Sequence, residues 1–321
     1  MIQESTIHTI AFYNTENLFD VFVDEKTIDR DFLPIASKNW TKQRYERKIY
    51  KLGSVIAKIG FESAQKPPVL IGLAEVENDS VLKDLIQSDD LKNHNYGFIH
   101  YNSLDERGID VALLYNKDEF TVENSKAIPI RIEEPSGKRD FTRDILLVTG
   151  YLNENKVNIL VNHWPSRHEG RDETDYKRIV AATQLTEIIA SITKDDLNSQ
   201  IIVMGDFNDN PNSQSILTLK QKNELFNTME SVWSYSRGSV NHNFAWILFD
   251  QILLTPNFLD EGSGPFKFLK ADIFDEKFLT QYDGKFKGQP YRTYMGKKYN
   301  GGFSDHFPVY IQVQKMKENY I

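Results

Sequence analysis

The sequence predicts a layered α/β sandwich, with helices outside and sheets inside. Three observations carry that prediction. Short apolar runs of strand length recur in both halves of the chain, and two amphipathic segments with helical spacing lie between them. Five polar motifs also follow apolar runs: Asn14-Thr15-Glu16-Asn17, Ala74-Glu75-Val76-Glu77-Asn78, Asn162-His163-Trp164-Pro165-Ser166-Arg167, Gly205-Asp206-Phe207-Asn208 and Ser304-Asp305-His306. Polar residues at strand ends gather at one sheet edge, where open α/β folds place their chemistry.

Taken in order, residues 7–13 read as a strand that ends at Asn14. Ile49, Leu52, Ile56 and Ile59 then recur at helical spacing in a segment rich in Arg and Lys, with Gly60 as the stop, which is the pattern of a surface helix. Residues 69–74 form a nearly continuous apolar run, the kind buried on both faces, and Glu75 ends it. Residues 111–115, 145–152 and 157–161 read as further strands, the last two joined through a hairpin turn at Asn153-Glu154-Asn155-Lys156. A second helix is expected over residues 174–191, with Ile179, Ala182, Leu185 and Ile189 on one face. The strand at 201–205 delivers Asp206, the run 246–254 carries Asp250, and residues 303–313 close the fold. Residues 256–302 are long and poorly periodic, as a substrate-side loop or insertion would be. Because the motifs span residues 14 to 306, one domain over 1–321 is expected rather than two.

Composition narrows the function classes. Hydrophobic residues at 40% and aromatics at 12% suffice for a substantial core, so disorder does not dominate. The absence of Cys excludes disulfides, thiolate metal sites and a Cys nucleophile, but leaves the compartment open. No apolar run reaches membrane-spanning length, and the polar residues 1–6 carry no secretory signal, so a cytoplasmic protein and one exported after signal removal both fit. A monomer is expected. The net charge of −8 argues against a generally basic surface; clefts act through local charge, however, and a bound divalent cation would offset part of the acidity, so nucleic acid is not excluded.

Each motif has a plain structural reading beside the chemical one. Gly205-Asp206-Phe207-Asn208-Asp209-Asn210-Pro211 has the residues of a turn, Asn14 those of a cap, and His163 fits a buried structural histidine. Asp250 resists such a reading, because a carboxylate inside an apolar run is costly to bury without a partner, and an imidazole would satisfy it. Asn, Asp and Glu oxygens are the ligands that a hard ion prefers, while two histidines and an aspartate supply proton transfer and charge stabilisation for a phosphate ester. HExxH, GxxxxGK[ST] and GxSxG motifs are all absent from the sequence, which sets aside those reaction classes.

At these residues the chain resembles the endonuclease/exonuclease/phosphatase superfamily, which includes deoxyribonuclease I-like nucleases, abasic-site endonucleases, sphingomyelinases and inositol polyphosphate phosphatases. The stretches Arg107 to Tyr115 and Tyr291-Arg292-Thr293-Tyr294, together with Asn162 to Arg167, are similar to a bacterial endonuclease-like branch. The resemblance covers nearly the whole chain in family order. It implies a four-layered α/β sandwich, two packed and mainly antiparallel sheets flanked by helices.

The resemblance also implies roles. Glu75 is the expected principal metal carboxylate, with Asn14, Glu16 and Asp305 as further metal positions; Mg²⁺ is the expected ion, Mn²⁺ a substitute and Ca²⁺ an auxiliary. Asp206 activates or orients the attacking water with help from Asn208. His306, held by Asp250, either removes a proton or stays charged and binds phosphate, and His163 serves the leaving group or the phosphoryl oxygens. Substrate contacts are expected from Arg107, Arg167, Arg171, Lys285, Lys287, Arg292 and Tyr294, with His168 beside Arg167. The basic and aromatic residues between Gly284 and Tyr299 read either as a solvated loop or as a rim for a polyanion. The expected function is hydrolysis of DNA or RNA by in-line attack of water on a phosphodiester. Lipid or sugar phosphates are the alternative substrates, and a catalytically silent binding module is the third reading.

Overall fold

The computed structural model describes residues 6–22, 30–167, 170–259 and 264–316. Its principal strands, in chain order, are β1 (Ile7–Leu18), β2 (Leu70–Val76), β3 (Tyr96–His100), β4 (Asp110–Asn116), β5 (Phe120–Ile128), β6 (Ile145–Leu152), β7 (Asn155–His163), β8 (Gln200–Asp206), β9 (Phe226–Asn227), β10 (Asp250–Leu254), β11 (Phe266–Ile273) and β12 (Val309–Lys315). The main helices are α1 (Lys42–Ile56), α2 (Asp79–Ile86), α3 (Arg171–Asp195) and α4 (Gln214–Asn223).

Two six-stranded sheets form, ordered β11-β12-β1-β2-β4-β3 and β9-β10-β8-β7-β6-β5. The pairs β1/β2 and β7/β8 are parallel and the other pairs in both sheets are antiparallel. The sheets pack face to face with helices outside, the four-layered sandwich that the family resemblance implies. Strand alternation in β8 explains its continuous apolar run. Ile202 and Met204 face the core between the sheets, whereas Ile201 and Val203 face a second core under α3 and α4 with Leu185, Ile216 and Leu219. The sheets approach closely at Gly72 of β2, where an added Cβ would lie 2.6 Å from the Met204 sulfur, so a larger residue there would push them apart.

Helix α1 starts at Thr41, whose hydroxyl accepts from Arg44 N, and Gly60 follows it at φ 66°, a conformation suited to glycine. Its buried face runs Tyr45, Lys48, Ile49, Leu52 and Ile56. Helix α3 is longer than expected, and its packing face uses Ala181, Ala182, Leu185 and Ile189; Ile179 is 39% exposed and Arg178 is buried instead. Among the described residues, no helix is long and apolar enough to cross a membrane.

Three expectations need correction. The first strand does not stop at Asn14 but continues to Leu18 through an irregularity at which Glu16 and Asn17 take φ 52° and 56°. The run 246–254 breaks, because Ala245–Ile247 pairs with Val240–His242 in a separate hairpin while β10 begins at Asp250. The residues before Val309 are not strand, and the long 256–302 segment includes edge strand β11, paired antiparallel with β12. An edge strand with exposed Leu269 and Lys270 lacks the apolar alternation that would betray it in sequence.

Candidate active site

Sheet register assembles most of the site. Parallel pairing aligns Asp206 of β8 with His163 of β7, and antiparallel pairing aligns the same Asp206 with Asp250 of β10. One rung therefore carries all three, and neighbours on a rung project to the same face. In the other sheet, the parallel register of Asn14 with Ala74 brings Asn14 beside Glu75 at the matching edge.

Asp206 is the hub. Its Oδ2 accepts from Asn14 Nδ2 at 2.9 Å and its Oδ1 from the Asn208 backbone N–H at 2.9 Å. Oδ2 also lies 3.7 Å from His163 Nε2 and 3.9 Å from His306 Nε2. Burial pushes the Asp206 carboxyl up to about 6; Asp250 adds to that rise and the His306 charge opposes it.

The two histidines are driven in opposite directions. His163 is buried, its Nδ1 has no hydrogen-bond partner among the described residues, and burial followed by the Arg143, Arg107 and His306 charges holds it well below the ordinary imidazole range. His306 donates from Nδ1 to Asp250 Oδ2 at 2.7 Å. Burial would lower it, yet Asp250, Asp206 and Asp305 outweigh that and hold it well above the usual value. Asp250 itself is fully buried, as its cost in an apolar run required.

The acidic cluster lies next to this pair. Glu75, at φ 62°, accepts from Asn17 N through Oε2 at 2.8 Å, while its Oε1 lies 4.0 Å from His163 Nε2. Glu16 accepts from the backbone N–H groups of Thr293 and Tyr294 at 2.6 and 3.2 Å. Burial first, then the Asp305 charge, pushes Glu16 up to about 7, against Lys48 and Arg292. Arg292 reaches Asp305 Oδ2 at 2.6 Å and Glu16 Oε1 at 3.7 Å. Asp305 is thereby held below the usual carboxylate range, with burial opposed by His306, Arg292 and Lys48.

These donors suit a hard divalent cation. Among the described residues Glu75 Oε1 accepts no hydrogen bond, and the Glu16 carboxyl, raised by burial and then by the Asp305 charge, is one whose ionised form such an ion would favour. Asp206, Asp250 and His306 also place ligand-capable atoms within 4.8 Å of one another, but a cation there would have to displace the Asp250–His306 hydrogen bond. The Glu75 side requires no such displacement.

Substrate-side expectations fare unevenly. Lys285, Lys287 and Arg292 are exposed. Arg107 is half-buried and reaches Asn17 Oδ1, close enough for its charge to act on His163. Arg167 donates to Asn208 O at 2.7 Å and pairs with Asp209, so it braces the Asp206 turn rather than standing free for substrate. Tyr294 is buried beside Trp40 and Phe32 and donates to Lys38 O, so its ring cannot stack on a substrate. His168 and the Arg171 side chain lie outside the described residues. Asn208 Nδ2 is committed to Trp164 O at 3.0 Å.

Two residues were missed. Arg143 donates to Trp164 O at 2.7 Å and pairs with Asp105 at 3.0 Å, and no sequence pattern announces it. Lys48 is buried, and its Nζ donates to Thr293 Oγ1 and Phe303 O, both at 2.5 Å. Its position on the stripe of Tyr45, Ile49, Leu52 and Ile56 was the available signal.

Residues 9–315 match the Endonuclease/Exonuclease/phosphatase family. No curated protein matches the chain. Among solved structures, an endonuclease/exonuclease/phosphatase family protein from Bacteroides thetaiotaomicron aligns with TM-score 0.62 at 18% identity, over 98% of this chain and 100% of that one. A mannosyl-6-phosphatase from Bacteroides thetaiotaomicron VPI-5482 aligns with TM-score 0.59 at 17% identity, over 95% and 99%. D. rerio TDP2 complexed with a single-strand DNA product aligns with TM-score 0.58 at 13% identity, over 96% and 98%. The chain belongs to the endonuclease/exonuclease/phosphatase family and is a metal-dependent phosphoric ester hydrolase.

Proposed function

We propose that this hydrolase is a Mg²⁺-dependent phosphodiesterase of nucleic acid, DNA or RNA, working as a single-domain monomer over residues 1–321. The observation that carries the chemistry is Asp206 Oδ2 between two imidazoles, 3.7 Å from His163 Nε2 and 3.9 Å from His306 Nε2. In this reading Glu75, with Asn14, Glu16 and Asp305, would hold the cation. Mn²⁺ would substitute for Mg²⁺, and Ca²⁺ would be an auxiliary ion. Its contribution when bound is Lewis-acid neutralisation of phosphoryl charge.

The chain's own residues do the rest. Asp206, with its carboxyl at about 6, is ionised at neutral pH yet basic enough to take a proton from the attacking water. Asn14 and the Asn208 N–H fix its two oxygens, so the acceptor is aimed. His306, kept charged by Asp250, donates from Nε2 to a phosphoryl oxygen, as a phosphate binder rather than a base. His163 stays neutral and donates from Nε2 toward the phosphoryl or leaving oxygen, stabilising charge that develops in the transition state.

Nucleic acid is favoured over smaller esters by the exposed Lys285, Lys287, Lys297 and Lys298, which line a segment that carries no acidic side chain from Gly284 to Tyr299. A second reading, a monoesterase on sugar phosphates, is favoured by Arg292, whose partly exposed guanidinium beside Asp305 suits a dianionic phosphate. The fold does not choose between them. The test is turnover of plasmid DNA, RNA, bis-p-nitrophenyl phosphate, p-nitrophenyl phosphate, a hexose 6-phosphate and sphingomyelin, with and without Mg²⁺. Nucleic acid and the diester should be cut; turnover confined to monoesters would replace the first reading with the second.

A further inference from the structure

A cavity of about 430 Å³ lies beside the catalytic edge and takes no part in the chemistry above. Its walls include Asn241, Phe244, Trp246, Lys285 and Lys287. The hairpin that forms one wall is tied to the reaction centre, because Val240 is bridged to His306 and Phe307 N donates to Ser239 O at 2.8 Å. Trp246 stacks on Phe307 with ring centroids 5.9 Å apart, which fixes the hairpin base. The turn at its tip begins at Asn243, three residues from Val240, about 10 Å along an extended strand. That is far enough to meet a neighbour of the reacting phosphate rather than the phosphate itself.

The tip is built at a cost. Asn243 and Phe244 adopt φ 49° and 65°, a turn that favours Asn followed by Gly, yet a 55% exposed phenyl ring occupies the glycine position. Phe244 lies parallel to Phe286, at 5.8 Å between centroids and 2° between planes, and Lys285 Nζ sits 5.1 Å from the Phe244 centroid. Asn241 Oδ1 lacks a hydrogen-bond partner among the described residues. Arg237 is neutralised by Asp272 and Asp275, each at 2.8 Å, whereas Lys285 and Lys287 make no ion pair among the described residues. The cavity therefore combines an exposed flat ring, an unused acceptor and two uncompensated cations.

We infer that this cavity is a nucleotide subsite, which takes the base and phosphate adjoining the scissile bond of a single nucleic acid strand, with the base on Phe244 and the phosphate on Lys285 and Lys287. It rests on the nuclease reading and specifies its substrate as a strand with an accessible base. The volume lies within the range of small-molecule sites, and aromatic stacking beside cations is how single strands are held without sequence preference.

The test is fluorescence anisotropy of a short labelled single-stranded oligonucleotide on the full chain, with EDTA to stop cleavage, against the same strand carrying an abasic spacer at each position in turn. Phe244→Gly suits the backbone at φ 65° and removes only the ring; it should weaken binding of the base-bearing strand about tenfold, while one abasic strand loses that sensitivity. Phe244→Tyr should restore the wild-type affinity. Lys285→Gln with Lys287→Gln should weaken both kinds of strand alike. Equal losses on base-bearing and abasic strands for Phe244→Gly, or no loss, would overturn the stacking subsite while wild-type cleavage of nucleic acid leaves the proposed function standing. A wild type that neither binds nor cuts nucleic acid would overturn both.

Discussion

His306 Nδ1 and Asp250 Oδ2 lie 2.7 Å apart, and this contact fixes which nitrogen of the imidazole faces Asp206. With Nδ1 engaged, Nε2 is turned toward Asp206 and Asp305, and the buried Asp250 charge keeps the ring protonated against the cost of its own burial. Asp250→Asn and His306→Ala should each lower turnover by at least ~10²-fold. The double variant should lose far less than the product of the two, because the pair acts as a unit. Steady-state kinetics of the four proteins checks this, and strictly multiplicative losses would show that the residues work apart.

Glu75 gives the metal prediction. Its Oε1 accepts no hydrogen bond among the described residues, and the neighbouring Glu16 is pushed up to about 7 by burial and then by the Asp305 charge. EDTA should abolish turnover and Mg²⁺ or Mn²⁺ should restore it. A ligand that binds only the folded state raises its stability, so Mg²⁺ should raise the melting temperature of the wild type and leave that of Glu75→Gln nearly unmoved. Full activity in a thoroughly chelated sample would contradict this, as would equal thermal shifts in both proteins.

Stability should carry a pH signature from His100. Its Nδ1 lies 2.9 Å from Asp79 and its Nε2 3.2 Å from Asp110. Burial lowers its pKa, but the two carboxylates outweigh burial and raise it above the ordinary value. A histidine raised in the folded state adds stability that is fully present below the unfolded value of about 6.5 and is lost as pH climbs through the folded value. His100→Gln should therefore cost most at mildly acidic pH, with the gap to wild type closing as pH rises. Urea titrations across that window would show the reverse trend if the pair were not charged.

What sequence could reveal follows from physical cost. Asp250 was legible because a lone carboxylate in an apolar run demands a partner, and its bond to His306 supplies one. The β8 strand was legible for the same reason of burial on both faces. Edge strands were not: β5 is largely exposed, so selection for a repeating apolar face is weak there. The positive-φ irregularities at Glu16, Asn17 and Glu75 were also hidden, since non-glycine residues give no local warning of them. Tyr294 illustrates the opposite error. A tyrosine in a basic loop looks like a stacking platform, yet this one is buried between Phe32, Trp40 and Tyr299.

Long-range attraction of the substrate provides the last prediction. Lys285, Lys287, Lys297 and Lys298 are exposed on the segment that leads into Asp305 and His306, and Arg167, the expected counterpart across the cleft, is tied to Asn208 and Asp209. The cationic grip should therefore rest on the lysines. Changing all four to Gln should raise the apparent KM for nucleic acid, with the effect strongest at low ionic strength. The slope of log affinity against log salt should flatten by about 0.7 for each phosphate left without its lysine on a single strand, or about 0.9 on duplex DNA. Turnover at saturation should fall much less than KM rises, because the lysines act before the chemistry and not on the phosphoryl group in flight. A salt slope identical to wild type would assign the lysines to solvent, and a fall confined to turnover would mean that the segment shapes the catalytic centre instead.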